Sequence, residues 1–222
     1  MLPRILEPEA MDTPEEARAY DAMDHAAVND QFVADFLVAH GPCRGGEWLD
    51  VGTGPARIPI ALCRADPNAR VRGTDLAEPM LERARRNVAE AGLSGRIRCD
   101  RGDAKGLPER GGAFEAVASN SVVHHIPEPA RTLAAMVRVV APGGTLFVRD
   151  LVRPDTEADV ARLVRQYAGA EPPGARVLFE ASLHAALTLD EIRGLVRAID
   201  LPAEGVEMTS DRHWTWTWHR PG

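Results

Sequence analysis

The run Glu47-Trp48-Leu49-Asp50-Val51-Gly52-Thr53-Gly54-Pro55-Ala56-Arg57 compresses a strand, a two-glycine turn and a helix start into one short stretch. Trp48, Leu49 and Val51 suit a buried parallel strand, Gly52 and Gly54 let the backbone turn tightly against a ligand, and Pro55 fits the first position of the following helix. Such a loop binds a nucleotide cofactor. Asp50 discriminates among cofactors, because a carboxylate just before the glycines would repel a pyrophosphate held by backbone amides and a helix dipole. A cationic ligand would be attracted to it.

From Trp48 onward, short apolar runs alternate with amphipathic stretches, the pattern of repeated βαβ units around a parallel sheet. Strands are expected near 47 to 51, 70 to 74, 96 to 100, 114 to 119 and 144 to 150, with helices near 56 to 65, 77 to 91 and 129 to 140. In the second of these helices Met80, Leu81, Ala84 and Val88 form an apolar stripe, and Arg83, Arg85 and Arg86 read as a solvated face. Ahead of the first strand, Thr13-Pro14-Glu15-Glu16 opens a helical pattern expected to run from 13 to 39. After Pro154 the pattern is helical to Tyr167 and again over 176 to 187. Thr188 and Glu191 then form a capping-box start for a helix over 189 to 199. Two extended pieces follow, 205 to 209 and 213 to 218, with Trp214, Trp216 and Trp218 on one face of the last.

A chain of 222 residues with 45% hydrophobic residues can build one substantial α/β core. A single domain is expected over 1–222, with a helical cap at 1–44, a core at 45–152, and a helical insertion with C-terminal strands at 153–222. The net charge of -7 opposes broad capture of nucleic acid or anionic membrane and favours a small-molecule partner. Cys43, Cys63 and Cys99 have no CxxC spacing and read as reduced thiols. With no signal-like or membrane-length apolar run, a cytoplasmic location is expected. Homodimerisation is left open.

Four features fall at the C-terminal ends of successive expected strands: Asp50 with Gly52 and Gly54, then Asp75, Asp103 and Asn120. Ligands of open α/β sheets bind at that edge. Taken singly, a strand-end aspartate caps a helix or braces a turn as often as it binds a ligand. Their joint spacing is what points to a site. On these residues, over about 45 to 152, the chain resembles the class I S-adenosylmethionine-dependent methyltransferases, and most closely the small bacterial enzymes with a His-His segment after the fourth strand.

That resemblance implies a Rossmann-like, seven-stranded, mostly parallel sheet with helices on both faces, an antiparallel last strand and an N-terminal helical cap. It implies S-adenosylmethionine as cofactor and S-adenosylhomocysteine as product. Gly52, Thr53 and Gly54 would pass beneath the methionyl part, with Asp50 near its ammonium. Asp75 would take both ribose hydroxyls, Leu76 and Met80 would flank the adenine, Asp103 would accept from its amino group, and the Ala104 amide would donate to the ring. Asn120 and Ser121 would face the methionyl end. The family's third loop glycine is Ala56 here, a mild departure suited to a backbone of negative φ.

In Ser121-Val122-Val123-His124-His125-Ile126-Pro127 the resemblance implies the border of the methyl-transfer pocket, so His124 or His125 is a candidate base; the alternative is a loop-bracing role, the two rings pointing different ways. Arg149, Asp150 and Tyr20 are further pocket candidates, and Arg162, Arg165, Tyr167, His184, Arg212, His213 and Trp214 are available for its outer wall. No metal site is expected. A set of His124, His125 and Asp150 is imaginable, but adjacent histidines rarely chelate one ion and magnesium prefers oxygen ligands.

The sequence favours a methyltransferase acting on a small molecule, with an oxygen nucleophile slightly preferred. One alternative is an NAD(P)-dependent Rossmann oxidoreductase, against which Arg57 stands where a dinucleotide fingerprint wants Gly or Ala. Another is a non-catalytic cofactor-binding subunit of methyltransferase fold, for which a closed acceptor cavity would speak.

Overall fold

The computed structural model describes residues 1–8, 11–23 and 25–222. Its elements follow one another as α1 (Pro14–Asp21), α2 (Ala26–His40), β1 (Trp48–Val51), α3 (Arg57–Ala65), β2 (Val71–Asp75), α4 (Glu78–Glu90), β3 (Ile97–Arg101), β4 (Phe114–Asn120), α5 (Pro129–Val139) and β5 (Val140–Leu151). Then come α6 (Glu157–Ala168), α7 (Pro173–Ala185), α8 (Leu189–Ala198), β6 (Val206–Met208) and β7 (His213–His219).

The strands form a seven-stranded sheet in the order β3-β2-β1-β4-β5-β7-β6. β1 to β5 pair in parallel, while β7 runs antiparallel between β5 and β6. The order reverses at β1 and β4, which opens a crevice at their C-terminal ends. All of the functional residues singled out on β1, β2 and β4 reach that edge.

Side chains alternate across the sheet with period two, which sorts the core into two halves. Leu49, Val51, Val117, Leu146 and Val148 face α5 and α8; Trp48, Ala116, Ala118 and Phe147 face α2, α3 and α4. The tail completes the first half. Trp214 and Trp216 are fully buried in it and Trp218 packs against its margin, as their alternation predicts.

The N-terminal helix expected over 13 to 39 is two helices; Asp24, inside that range, lies outside the described residues. Thr13 and Glu16 do form a capping box on α1. At the last residue of α1 the Asp21 carboxylate is held by Arg57 at 2.9 Å, by Arg83 at 2.5 Å and by Asn87 at 3.0 Å. This also corrects the reading of Arg83 as merely solvated, since it anchors the cap to α4. β5 starts earlier than expected, at Val140, with Pro142-Gly143-Gly144 inside it; the register against β4 shifts between Phe114 and Ala116 to admit the extra residues. Among the described residues, no helix is long and apolar enough to cross a membrane.

Candidate functional site

The loop after β1 is fixed to β2 by its own backbone: the Gly52 and Thr53 amides both donate to the Thr74 carbonyl, at 2.8 and 2.9 Å. Gly52 and Gly54 take left-handed φ values of 73° and 52°, and a side chain at Gly52 would run into Val122. Ala56 is left-handed too, with φ 61°. The expectation that this position would not need positive φ is therefore corrected: the third turn of the loop keeps a glycine-like backbone and strains an alanine into it, at about 1–2 kcal/mol.

Asp75, at the tip of β2, accepts from the Gly54 amide on Oδ2 at 2.8 Å and from the Ala77 amide on Oδ1 at 2.9 Å. It thereby joins the loop to the start of α4, and each oxygen keeps a lone pair for a ligand. Burial pushes its carboxyl above the ordinary range against the pull of these amides. Asp75 lines a cleft of about 120 Å³ together with Gly52, Gly54, Leu76, Met80, Asp103, Ala104, Asn120 and Ser121. Tyr20 of the cap closes over that cleft, its phenol held above the usual range by burial and by the charge of Asp75.

Asp50 and Thr53 face an adjoining cleft, which shares Tyr20, Gly52, Gly54 and Asn120 with the first. Asp50 is 2% exposed, and burial pushes its pKa to about 7, with Asp75 adding to the rise and Thr53 opposing it. Asp103 differs. Its burial is slight, and the Lys105 amide at 2.9 Å and ammonium at 3.2 Å outweigh it and hold the carboxyl below its usual value. The side-chain oxygen of Asn120 is buried with no hydrogen-bond partner, an acceptor aimed at the crevice.

A second cavity, of about 250 Å³, adjoins the first cleft through Met11, Tyr20, Asn120, Ser121 and His125. Its far wall is apolar, from Leu178 and Phe179 of α7 and Leu151 of β5, with Tyr167, Arg212 and His213 at the rim. Ser121, at the junction, is strained into the left-handed region at φ 56°, which turns the chain from β4 into the histidine segment.

His124 and His125 differ in their surroundings. His124 is 2% exposed, with Nδ1 2.5 Å from Asp150 Oδ1 and its amide donating to Asp150 Oδ2 at 3.0 Å. Burial alone would depress its pKa, but Asp150 and Glu7 outweigh it and raise it to about 9, while Asp150 is held low by the same pairing. His125 is pushed below its ordinary value by burial and by the neighbouring His124. It lines both the cleft and the cavity, and is the histidine able to accept a proton at neutral pH. The rings do not point different ways; their centroids are 4.1 Å apart and both face Glu7.

Arg149 and Asp150, expected in the pocket, line none of these spaces. Arg149 lies on the opposite side of β5, pairing with Asp35 at 2.7 Å and Thr215 at 2.9 Å and resting on the rings of Phe32 and Phe147. Asp150 is fully buried behind His124. Arg162, Arg165 and His184 also stay out of the cavity, and Trp214 belongs to the core.

Glu7 was not anticipated. It reaches the cavity because the N-terminal segment is strapped down: Arg4 donates to the carbonyls of Ala185, His124 and Ile126 at 2.7, 3.0 and 3.0 Å, and Ser182 donates to Glu7 at 3.0 Å. No periodicity marks such a segment. Met11 and Phe179 escaped for the same reason, as their contacts are made across the chain.

Residues 49–144 match the family model described as a methyltransferase domain. A ubiquinone biosynthesis O-methyltransferase of Methylococcus capsulatus is 34% identical over 53% of this chain and 48% of its own length. A ubiquinone/menaquinone biosynthesis C-methyltransferase of Desulfotalea psychrophila is 33% identical over 62% and 56%. The chain thus spans about half the length of these relatives. The crystal structure of a SAM-dependent methyltransferase from Aquifex aeolicus superimposes with a TM-score of 0.66 at 16% identity, covering 93% of this chain and 98% of that one, a likeness of fold. Its methyltransferase-domain match over 49–144, its relatives and its sheet order together make this chain similar to the class I S-adenosylmethionine-dependent methyltransferases.

Proposed function

We propose that the chain, acting as one domain across 1–222, is a cytoplasmic enzyme that transfers a methyl group from S-adenosylmethionine to an oxygen of a small-molecule acceptor. The observation that carries this reading is the junction at Asn120, Ser121, Tyr20 and His125, where a cleft rimmed by Asp75 and Asp103 opens into a cavity walled by Leu151, Leu178 and Phe179.

The residues present fit the cofactor. Asn120 holds out an orphaned buried acceptor for an ammonium, Gly52 leaves the space that a side chain would fill, and Asp75 keeps one lone pair on each oxygen for a pair of vicinal hydroxyls. When bound, that cofactor supplies a methyl group on a sulfonium. Asp50 favours the cationic end, Leu76 and Met80 pack the base, and Asp103 with the Ala104 amide reads its edge. Tyr20 excludes water from above. His125 takes the acceptor's proton while the cavity walls hold its oxygen in line; positioning and desolvation supply much of the remaining rate.

The names of the relatives divide between O- and C-methylation, and the low-pKa imidazole beside the cavity supports oxygen. The open cavity speaks for an enzyme and against a non-catalytic subunit. A metabolite extract incubated with isotopically labelled methyl donor should yield a labelled product by mass spectrometry. His125→Ala should lower turnover of that product about 10²–10⁴-fold with near-normal S-adenosylhomocysteine affinity. Full activity in that variant would remove the base.

A further inference from the structure

We propose that Glu7, His124 and His125 form a binding site for a divalent transition-metal ion of the zinc type, open on its fourth side to the acceptor cavity. Three observations carry it. The facing atoms are His124 Nε2 and His125 Nδ1, each 3.3 Å from Glu7 Oε1, and the ligand atoms all lie within 4.8 Å of one another. Ligands on a tetrahedral ion with bonds of 2.0–2.1 Å are separated by roughly 3.3–3.4 Å. The two nitrogens therefore stand at a ligand-edge distance from the carboxylate, beyond the 2.7–3.2 Å typical of an N–H···O bond.

The second observation is that both nitrogens are buried and neither has a hydrogen-bond partner. Two orphaned imidazole nitrogens, converging on one carboxylate oxygen in a dry corner, carry a desolvation penalty that ligation would remove.

The third is what stands behind the ligands. His124 presents its other nitrogen to Asp150 at 2.5 Å, the carboxylate–histidine arrangement that fixes the tautomer and orientation of metal-ligating imidazoles. Glu7 is held by the Ser182 hydroxyl at 3.0 Å, and His125 is braced by the backbone of Pro8. Each of the three side chains thus has an outer partner that fixes it. The sequence objection to adjacent histidines fails here because the short helical turn Val123–His125 brings the two rings to 4.1 Å. The third ligand is Glu7; Asp150, the residue imagined for that place, stands behind His124. Two imidazoles and one carboxylate suit zinc, cobalt or ferrous iron and are poor for magnesium.

The role of the ion rests on the methyltransferase reading. With its fourth position open to the cavity, the metal would bind the acceptor hydroxyl and lower its pKa, so that the proton leaves to solvent water and the bound oxyanion attacks the methyl carbon without a free His125 as base. The site itself does not depend on that reading.

The test uses tag-free, full-length protein stripped with a chelator, titrated with Co(II) and followed by its visible d–d absorption, with Zn(II) per chain measured by mass spectrometry after loading. The expected result is one ion per chain with the intense absorption of a four-coordinate site. Glu7→Gln and His125→Ala should each weaken binding at least about 100-fold, and Asp150→Asn about 10–100-fold. Melting of the stripped proteins identifies any variant that fails to fold; Glu7→Gln, on the N-terminal strap outside the sheet core, keeps the comparison available. Wild-type protein that takes up no Co(II), or takes it up as well after Glu7→Gln, overturns the site. Calorimetry with S-adenosylhomocysteine on the same samples separates the two readings. Nucleoside binding without metal binding sinks the metal site alone, whereas metal binding without nucleoside binding upholds it and sinks the methyltransferase reading.

Discussion

The cleft rimmed by Asp75 and the cavity walled by Phe179 meet at Asn120, Ser121 and His125 but are built on opposite plans. In the cleft, backbone does most of the holding: the Thr74 carbonyl ties the loop after β1, and the Gly54 and Ala77 amides hold Asp75. These contacts join neighbouring strand tips of one sheet. In the cavity, side chains do the holding, and they come from far apart in sequence: Glu7 from the strap, His124 from the turn after β4, Asp150 from β5 and Ser182 from α7. A backbone-held cleft can tolerate loss of one side chain with local damage to binding. A buried side-chain network is less tolerant, because removing one member leaves its buried partners with part of their charge and hydrogen bonding uncompensated.

The largest expected effect follows from that contrast. Asp150→Ala leaves a buried imidazolium and the amides of His124 and Leu151 without their acceptor, and should cost about 3–5 kcal/mol of folding stability in urea denaturation. The network should also show in the pH dependence of stability. In the metal-free protein His124 has a folded pKa near 9, above its unfolded value of about 6.5, so its contribution is fully present below about pH 6.5 and is lost as pH rises through 9. Wild-type stability should fall across that window, and Asp150→Ala should flatten the fall. A variant as stable as wild type, with the same pH slope, would erase the distinction between the two regions.

On the cleft side, Asp75→Ala should weaken S-adenosylhomocysteine binding by about 1.5–3 kcal/mol in calorimetry, with a stability loss well below that of Asp150→Ala. Unchanged affinity would remove Asp75 from the site. Asp50 sharpens the same side: with a folded pKa near 7, the carboxylate proposed to favour the ammonium is mostly protonated at pH 6. Affinity for the amino-acid end should therefore rise about tenfold between pH 6 and pH 8 and reach a plateau above, while Asp50→Asn should remove the rise. A flat profile in the wild type would separate Asp50 from the ligand.

The smallest effect belongs to Ala56. Ala56→Gly relieves about 1–2 kcal/mol of left-handed strain but loses a buried methyl group worth about 0.8 kcal/mol, so stability should change by less than about 1 kcal/mol, in the favourable direction. Ala56→Val should be clearly destabilising by the same thermal or urea assay, as a β-branched side chain tolerates that backbone least. Equal stability of the glycine and valine variants would contradict the left-handed geometry.

Much of the cleft was legible because its signals are local. A glycine needed for a turn, a capping aspartate or an apolar alternation states its requirement within a few residues, and the strand tips of a parallel sheet then bring those positions to one edge. Asp50, Asp75, Asp103 and Asn120 reached that edge for this reason. The same logic failed at Arg149 and Asp150. Neighbours on a strand point to opposite faces, and which faces were already filled depended on Asp35 and His124, residues distant in sequence. It failed as well at α1 and α2, where an unbroken helical pattern gave no sign that Asp21 would be claimed by Arg57, Arg83 and Asn87.

By itself the sequence determined the layered α/β fold, the strand that carries the cofactor loop, the three carboxylates and the alternating tryptophans of the last strand, because hydrophobic period and turn chemistry act over short stretches. Only the tertiary structure decided which histidine lines both the cleft and the cavity, that Glu7 joins the pair and that Asp150 stands behind His124. Those outcomes depend on which buried polar groups find one another after the chain has closed, and a partner 117 or 175 residues away, as His124 and Ser182 are from Glu7, leaves no mark on the local pattern.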